Sequence, residues 1–132
     1  MFNALDHLII AVKDLDKAEK NYSKIFGLSP VWKGEHADFG TSNCLFNFQN
    51  TYFELLSATG DGPGASLVND HLEKKGEGLM GVVFGTDNIN GVATALREKG
   101  FSLPTLSDGV GSNFNDKKIR KWKNLFLPPE LT

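Results

Sequence analysis

The chain opens the same structural unit twice. The first copy reads Leu5-Asp6-His7-Leu8-Ile9-Ile10-Ala11-Val12-Lys13-Asp14-Leu15-Asp16. The second reads Gly78-Leu79-Met80-Gly81-Val82-Val83-Phe84-Gly85-Thr86-Asp87-Asn88-Ile89-Asn90. Each is a short apolar run, then an acidic residue able to cap a helix, then helical spacing that stops at a glycine, Gly27 in one copy and Gly100 in the other. Aligned on Asp14 and Asp87, His7 falls on Met80. A repeated strand–helix unit predicts two similar half-sheets facing each other across a cavity. Function is then carried by the side chains that point into it.

The first unit is expected to run over about 4–58. A buried strand at 5–12 leads to a helix capped by Asp14 or Asp16, where Asp16 and Glu19 have capping-box spacing. Leu15, Ala18, Tyr22, Ile25 and Phe26 recur at helical spacing as its apolar stripe. Gly27 ends the helix, Pro30 forbids its continuation, and Val31-Trp32 starts a strand. Residues 34–40 are expected as a polar loop. Strands follow at about 41–49 and 51–57, joined by a turn at Gln49-Asn50. Thr59-Gly60-Asp61-Gly62-Pro63-Gly64 reads as a linker. A short helix follows it, presenting Leu67, Val68, His71 and Leu72 on one face. The second unit covers about 78–132, with strands expected at 101–106 and 119–127 and a loop at 107–117. It therefore has one strand fewer than the first, and the missing strand leaves an open sheet edge. A partner chain covers that edge, another segment does, or the chain is a truncated form.

At 132 residues, with 40% apolar and 23% charged residues, the chain suits one globular domain. A net charge of −2 supplies no global field for nucleic acid or anionic membrane. The basic run Lys117-Lys118-Ile119-Arg120-Lys121-Trp122-Lys123 reads as a solvated loop entering a strand. Cys44 is the only cysteine, which excludes an internal disulfide and a Cys-rich zinc site. It alternates with Leu45 and Phe46 and is expected as a small buried residue rather than a nucleophile. No run approaches membrane-spanning length, and a cytoplasmic protein is expected.

Taken in order, these segments resemble the vicinal oxygen chelate superfamily (the glyoxalase, bleomycin-resistance and extradiol-dioxygenase group), above all its glyoxalase-like branch. Leu5 to Asp16 is similar to the opening strand and helix start. Gly34-Glu35-His36-Ala37-Asp38-Phe39-Gly40-Thr41-Ser42-Asn43 is similar to the branch's loop-plus-strand element. Tyr52-Phe53-Glu54-Leu55-Leu56 is similar to the strand closing the first module, and Gly76 to Phe84 to the start of the second. The resemblance implies an α+β fold: paired βαβββ modules forming a curved mixed sheet around a cavity, here with the second module lacking its last strand. It also implies metal ligands on the first and fourth strands of a module, which match His7 and Glu54. An imidazole and a carboxylate suit Zn, Ni, Fe or Mn, with positions left for substrate oxygens. Met80 departs from the pattern, because a thioether is a poor ligand for such metals.

Two functions follow as expectations. One is an enzyme of the lyase, isomerase or dioxygenase type, in which His7 and Glu54 bind metal or act as acid and base. The other is a metal-free protein that sequesters a small aromatic compound, similar to bleomycin-resistance proteins. In either case His36, Trp32, Phe46, Phe48 and Trp122 are candidates for ligand contact, with Phe84 a further aromatic at strand spacing. A homodimer is expected to form around the open edge.

Overall fold

A computed structural model describes residues 1–128. The last four residues of the second unit, 129–132, lie outside it. The elements are β1 (Ala4–Ala11), α1 (Leu15–Phe26), β2 (Trp32–His36), a 3-10 turn (Ala37–Phe39), β3 (Thr41–Asn47), β4 (Tyr52–Ala58), α2 (Pro63–Lys75), β5 (Gly78–Gly85), α3 (Ile89–Glu98), β6 (Ser107–Asn113) and β7 (Ile119–Asn124). The seven strands form one curled sheet in the order β5-β1-β4-β3-β2-β6-β7. β1 runs parallel to β4, and every other pairing is antiparallel.

The repeat seen in the sequence is built into the pairing of β1 with β5. Leu8 stands opposite Val82 and Ile9 opposite Gly81. Under the sequence alignment Leu8 is equivalent to Gly81 and Ile9 to Val82, so a local twofold axis passes between these two pairs. The register then slips, with Ile10 opposite Leu79. Met80 is thus the extra residue of a β-bulge.

Strand alternation divides the sheet into two faces. On the outer face Ile10, Val12, Cys44, Phe46 and Leu55 form a buried cluster under Leu15, Ala18, Tyr22 and Phe26 of α1. On the inner face Ala11 and Leu56 pack with Val68 and Leu72 of α2, and with Ile9 and Met80. α2 therefore stops one end of the inner face, and the polar residues occupy the stretch beyond it.

Local chemistry sets the boundaries. Asp14 caps α1 by accepting from the Lys17 amide at 3.1 Å, and Gly27 closes it in the left-handed conformation with φ 66°. Of the two candidate caps Asp14 is the one used. Ile25 leaves the expected stripe and is 70% exposed. One residue turns the helix by about 100°, and Phe26 takes the inward position beside it. In the second unit Asn88, not Asp87, caps α3, accepting from the Gly91 amide at 3.0 Å.

Two further expectations are corrected. Residues 34–36 extend β2, and the expected loop at 34–40 shrinks to the 3-10 turn ending at Gly40. Gly40 has φ +73°, and an added Cβ would lie 2.6 Å from the Asp61 backbone; its carbonyl accepts from the amides of Thr59 and Gly60. The expected linker is therefore pinned to the β2–β3 connection rather than free. In the second unit 101–106 is not a strand, and the glycine-bearing stretch Ser107–Asn113, expected as loop, forms β6. Its glycines leave room for the Trp122 indole, which lies where a Cβ on Gly109 would stand.

Candidate active site

Inner-face alternation brings four polar side chains into a row. Ile9 of β1 pairs with Glu54 of β4, Leu45 of β3 with Glu54, and His36 of β2 with Thr41 of β3. His7, Glu54, Asn43 and His36 therefore share one face on four adjacent strands. His7 Nε2 lies 3.3 Å from Glu54 Oε1. The other Glu54 oxygen, Oε2, accepts from Asn43 Nδ2 at 2.8 Å. The same amide nitrogen reaches His36 Nε2 at 3.4 Å, and His36 Nδ1 is 2.9 Å from Thr41 Oγ1. At the opposite end, His7 Nδ1 donates to Asp6 Oδ1 at 2.7 Å.

These contacts sort the protonation states. Burial by itself would raise the Glu54 carboxyl. The hydrogen bond and charge of His7 and the Asn43 amide outweigh it, and the group lies below its ordinary value. Burial likewise works against a charged His7, but Glu54 and then Asp6 reverse that and its pKa is raised. His36 is buried without a direct carboxylate contact, so burial wins and its pKa is lowered. The row therefore favours the charged forms of His7 and Glu54 at one end and the neutral form of His36 at the other.

The linkage has a definite sign. Raised above 6.5 in the fold, His7 contributes stability that is fully present below pH 6.5 and lost as pH rises through its folded value. Lowered below 4.5, Glu54 contributes stability that is present above pH 4.5 and lost as pH falls through its folded value. The pair stabilises most between pH 4.5 and 6.5. His36, held neutral, works the other way and takes stability away as pH falls below 6.5. Urea unfolding of wild type and His7→Gln should show a larger stability loss at about pH 5.5 than at about pH 9. An equal loss at both would mean that the two groups are not paired as ions.

The candidate aromatics divide between the two faces. Trp32 is buried on the inner face, with the Arg120 guanidinium 4.2 Å from its ring centre. Trp122 of β7 meets His36 edge-on at 5.8 Å and walls that end of the row. Phe46 and Phe48 do not line it. Both alternate with Leu45 and Asn47, which puts them on the outer side, where Phe26 of α1 meets them edge-on at 5.5 and 5.1 Å. Phe84 lies against Phe2 on β5, half exposed. Cys44 is fully buried under α1, and burial pushes its thiol up to about 12, as expected of an inert residue. Asn43 was missed as a site residue. Its one sequence signal is a polar side chain amid the apolar alternation of β3.

His7 and Glu54 meet as expected, but as a pair. Among the described residues no cluster of three or more His, Cys, Asp or Glu side chains stands close enough to hold a metal ion. Two donors fall short of the three that catalytic metal sites use, and Met80 in the β5 bulge adds no hard ligand. The described residues therefore do not by themselves make a metal centre. No helix among them is long and apolar enough to cross a membrane.

A curled sheet with a strand–helix unit repeated about a local twofold, and a polar row on its inner face, is the architecture of the vicinal oxygen chelate superfamily. Residues 5–132 match the Glyoxalase-like domain family, and the chain belongs to it. Among curated proteins it is 31% identical to human mitochondrial methylmalonyl-CoA epimerase, across 96% of this chain and 66% of that one. It is 35% identical to the lactoylglutathione lyase of Schizosaccharomyces pombe, across 80% of this chain and 40% of that one. The chain thus spans just under two thirds of the length of the human epimerase, and less of the lyase. In three dimensions it resembles Mycobacterium tuberculosis methylmalonyl-CoA epimerase, with TM-score 0.72, 20% identity, and 98% and 91% of the two chains covered. It also resembles the Streptomyces coelicolor epimerase in complex with 2-nitronate-propionyl-CoA, with TM-score 0.70, 23% identity, and 84% and 88% covered.

Proposed function

We propose that the inner face moves a proton on the carbon next to a carbonyl in a small organic substrate, as an isomerase or lyase of the glyoxalase type. The observation that carries this reading is the His7–Glu54 pair, 3.3 Å apart, each member held from behind by another side chain. The Glu54 carboxylate takes the proton of the carbon acid. The C–H electron pair moves towards the carbonyl oxygen, and the His7 imidazolium stabilises the negative charge developing there. Return of the proton to carbon completes the exchange and restores both groups. The epimerase and lyase relatives support this reaction class, and a coenzyme A thioester or a glutathione hemithioacetal are the substrates to try first.

The test is deuterium incorporation. Methylmalonyl-CoA and the glutathione hemithioacetal of methylglyoxal are incubated with the protein in D2O and followed by proton NMR, with and without added divalent metal. Loss of the signal next to the carbonyl, absent with His7→Ala, supports the reading. No exchange from either substrate under either condition sinks it for these substrates.

A divalent metal, Zn, Ni, Fe or Mn, on His7 and Glu54 belongs to the proposal only if a further donor joins them. Metal analysis of wild type and Glu54→Ala checks it: near-stoichiometric metal lost in the variant supports the site, and equal content in both removes it. Ligand sequestration without chemistry is the second reading, favoured by the Trp32 and Trp122 walls and the two-donor count. It predicts ligand quenching of tryptophan fluorescence with no exchange. A homodimer is part of either reading, and light scattering showing only monomer at micromolar concentration would remove it.

A further inference from the structure

We propose that Asn43 is the positioning residue of the site, a single amide that orients the Glu54 carboxylate and selects the ring tautomer of His36. Asn43 is 3% exposed, on β3 between β4 and β2. Its Nδ2 carries two hydrogens, and two acceptors stand in reach: Glu54 Oε2 at 2.8 Å and His36 Nε2 at 3.4 Å. Gly34 is its direct cross-strand partner on β2 and brings no side chain into that space.

The orientation of the amide follows from the carboxylate. A flipped amide would turn Oδ1 towards Glu54, oxygen against oxygen, with no hydrogen between them. The observed orientation leaves Oδ1 buried without a partner. An orphaned buried acceptor forfeits its hydration without a replacement hydrogen bond. The fold accepts that loss to keep Nδ2 between Glu54 and His36, where a packing residue would need no such arrangement. With Nε2 of His36 accepting, the ring hydrogen is on Nδ1 and donates to Thr41 Oγ1. The neutral imidazole thus turns its Nε2 lone pair, not a hydrogen, towards Asn43.

This rests on the reading of the inner face as the place of chemistry, but the readout is independent of turnover. Nitrogen-15 NMR of the histidine rings is recorded at neutral pH on wild type, Asn43→Leu and Asn43→Ala. Wild type should show His36 as the Nδ1–H tautomer. Neither variant can donate to Nε2, and the Thr41 hydroxyl can accept from or donate to Nδ1, so in both the Nδ1–H form should lose its preference and the Nε2–H form gain population. Amide spectra away from the row check that each variant is folded, and if one unfolds the other decides. A His36 that stays in the Nδ1–H form in a folded variant overturns the proposal, because Thr41 alone would then hold the ring. A tautomer change together with absent deuterium exchange would keep Asn43 as positioning residue and discard the proposed reaction.

Discussion

Glu54→Gln should lower deuterium exchange by about 10²–10⁴-fold, the usual contribution of a positioned acid or base. Glutamine keeps the shape of the side chain and can still accept from the Asn43 amide. It cannot take a proton, and it withdraws the charge that holds His7 protonated. Two readouts should therefore move together. Turnover falls, chiefly in kcat, and the His7 ring titrates at lower pH than in wild type. The second readout has value by itself, because Glu54 is the first group that raises the His7 value against burial. A variant with a lowered His7 titration and unchanged exchange would keep the ion pair and remove Glu54 as the base. A variant with neither change would remove the pair.

Phe46→Ala should cost about 3–5 kcal/mol, as large-to-small changes at fully buried aromatics do. Phe46 has no exposed surface and sits where β3 meets α1, edge-on to Phe26 at 5.5 Å. Against a total stability of about 5–15 kcal/mol for a domain of this kind, the loss shows as a large drop in the urea midpoint. Phe48 makes the same kind of contact with Phe26 but is 38% exposed, so Phe48→Ala should lose clearly less. Both residues were candidates for ligand contact. If Phe46→Ala retained wild-type stability and lost ligand binding instead, the assignment of the outer face would be wrong.

The sequence was most legible where period and chemistry agreed. The apolar run before Asp14, the stripe Leu15-Ala18-Tyr22-Phe26 and the stop at Gly27 each point to one conformation, and all three stand in the structure. His7 and Glu54 came from the family resemblance, and they do meet. β6 was hidden because its glycines usually mark loops; here they make space for the Trp122 ring, which arrives from a neighbouring strand. Phe46 and Phe48 were misplaced because aromatic character does not say which side of a sheet is the cavity. Parity relative to Asn43 would have said so, had Asn43 been recognised. It was not, because an amide earns its role only from partners that are distant in sequence and adjacent in space.

The position of β1 in the sheet also sets an order of events during synthesis. All four members of the polar row belong to the first unit, which is complete when β4 docks parallel to β1. Trp122, which closes the end of the row beside His36, lies on β7, which is synthesised after every strand of the first unit. The charged pair and the two imidazoles can thus assemble while one side of β1 still awaits β5, and the aromatic wall is fitted afterwards. A nascent chain paused between the two units would present the polar row before Trp122 stood beside it.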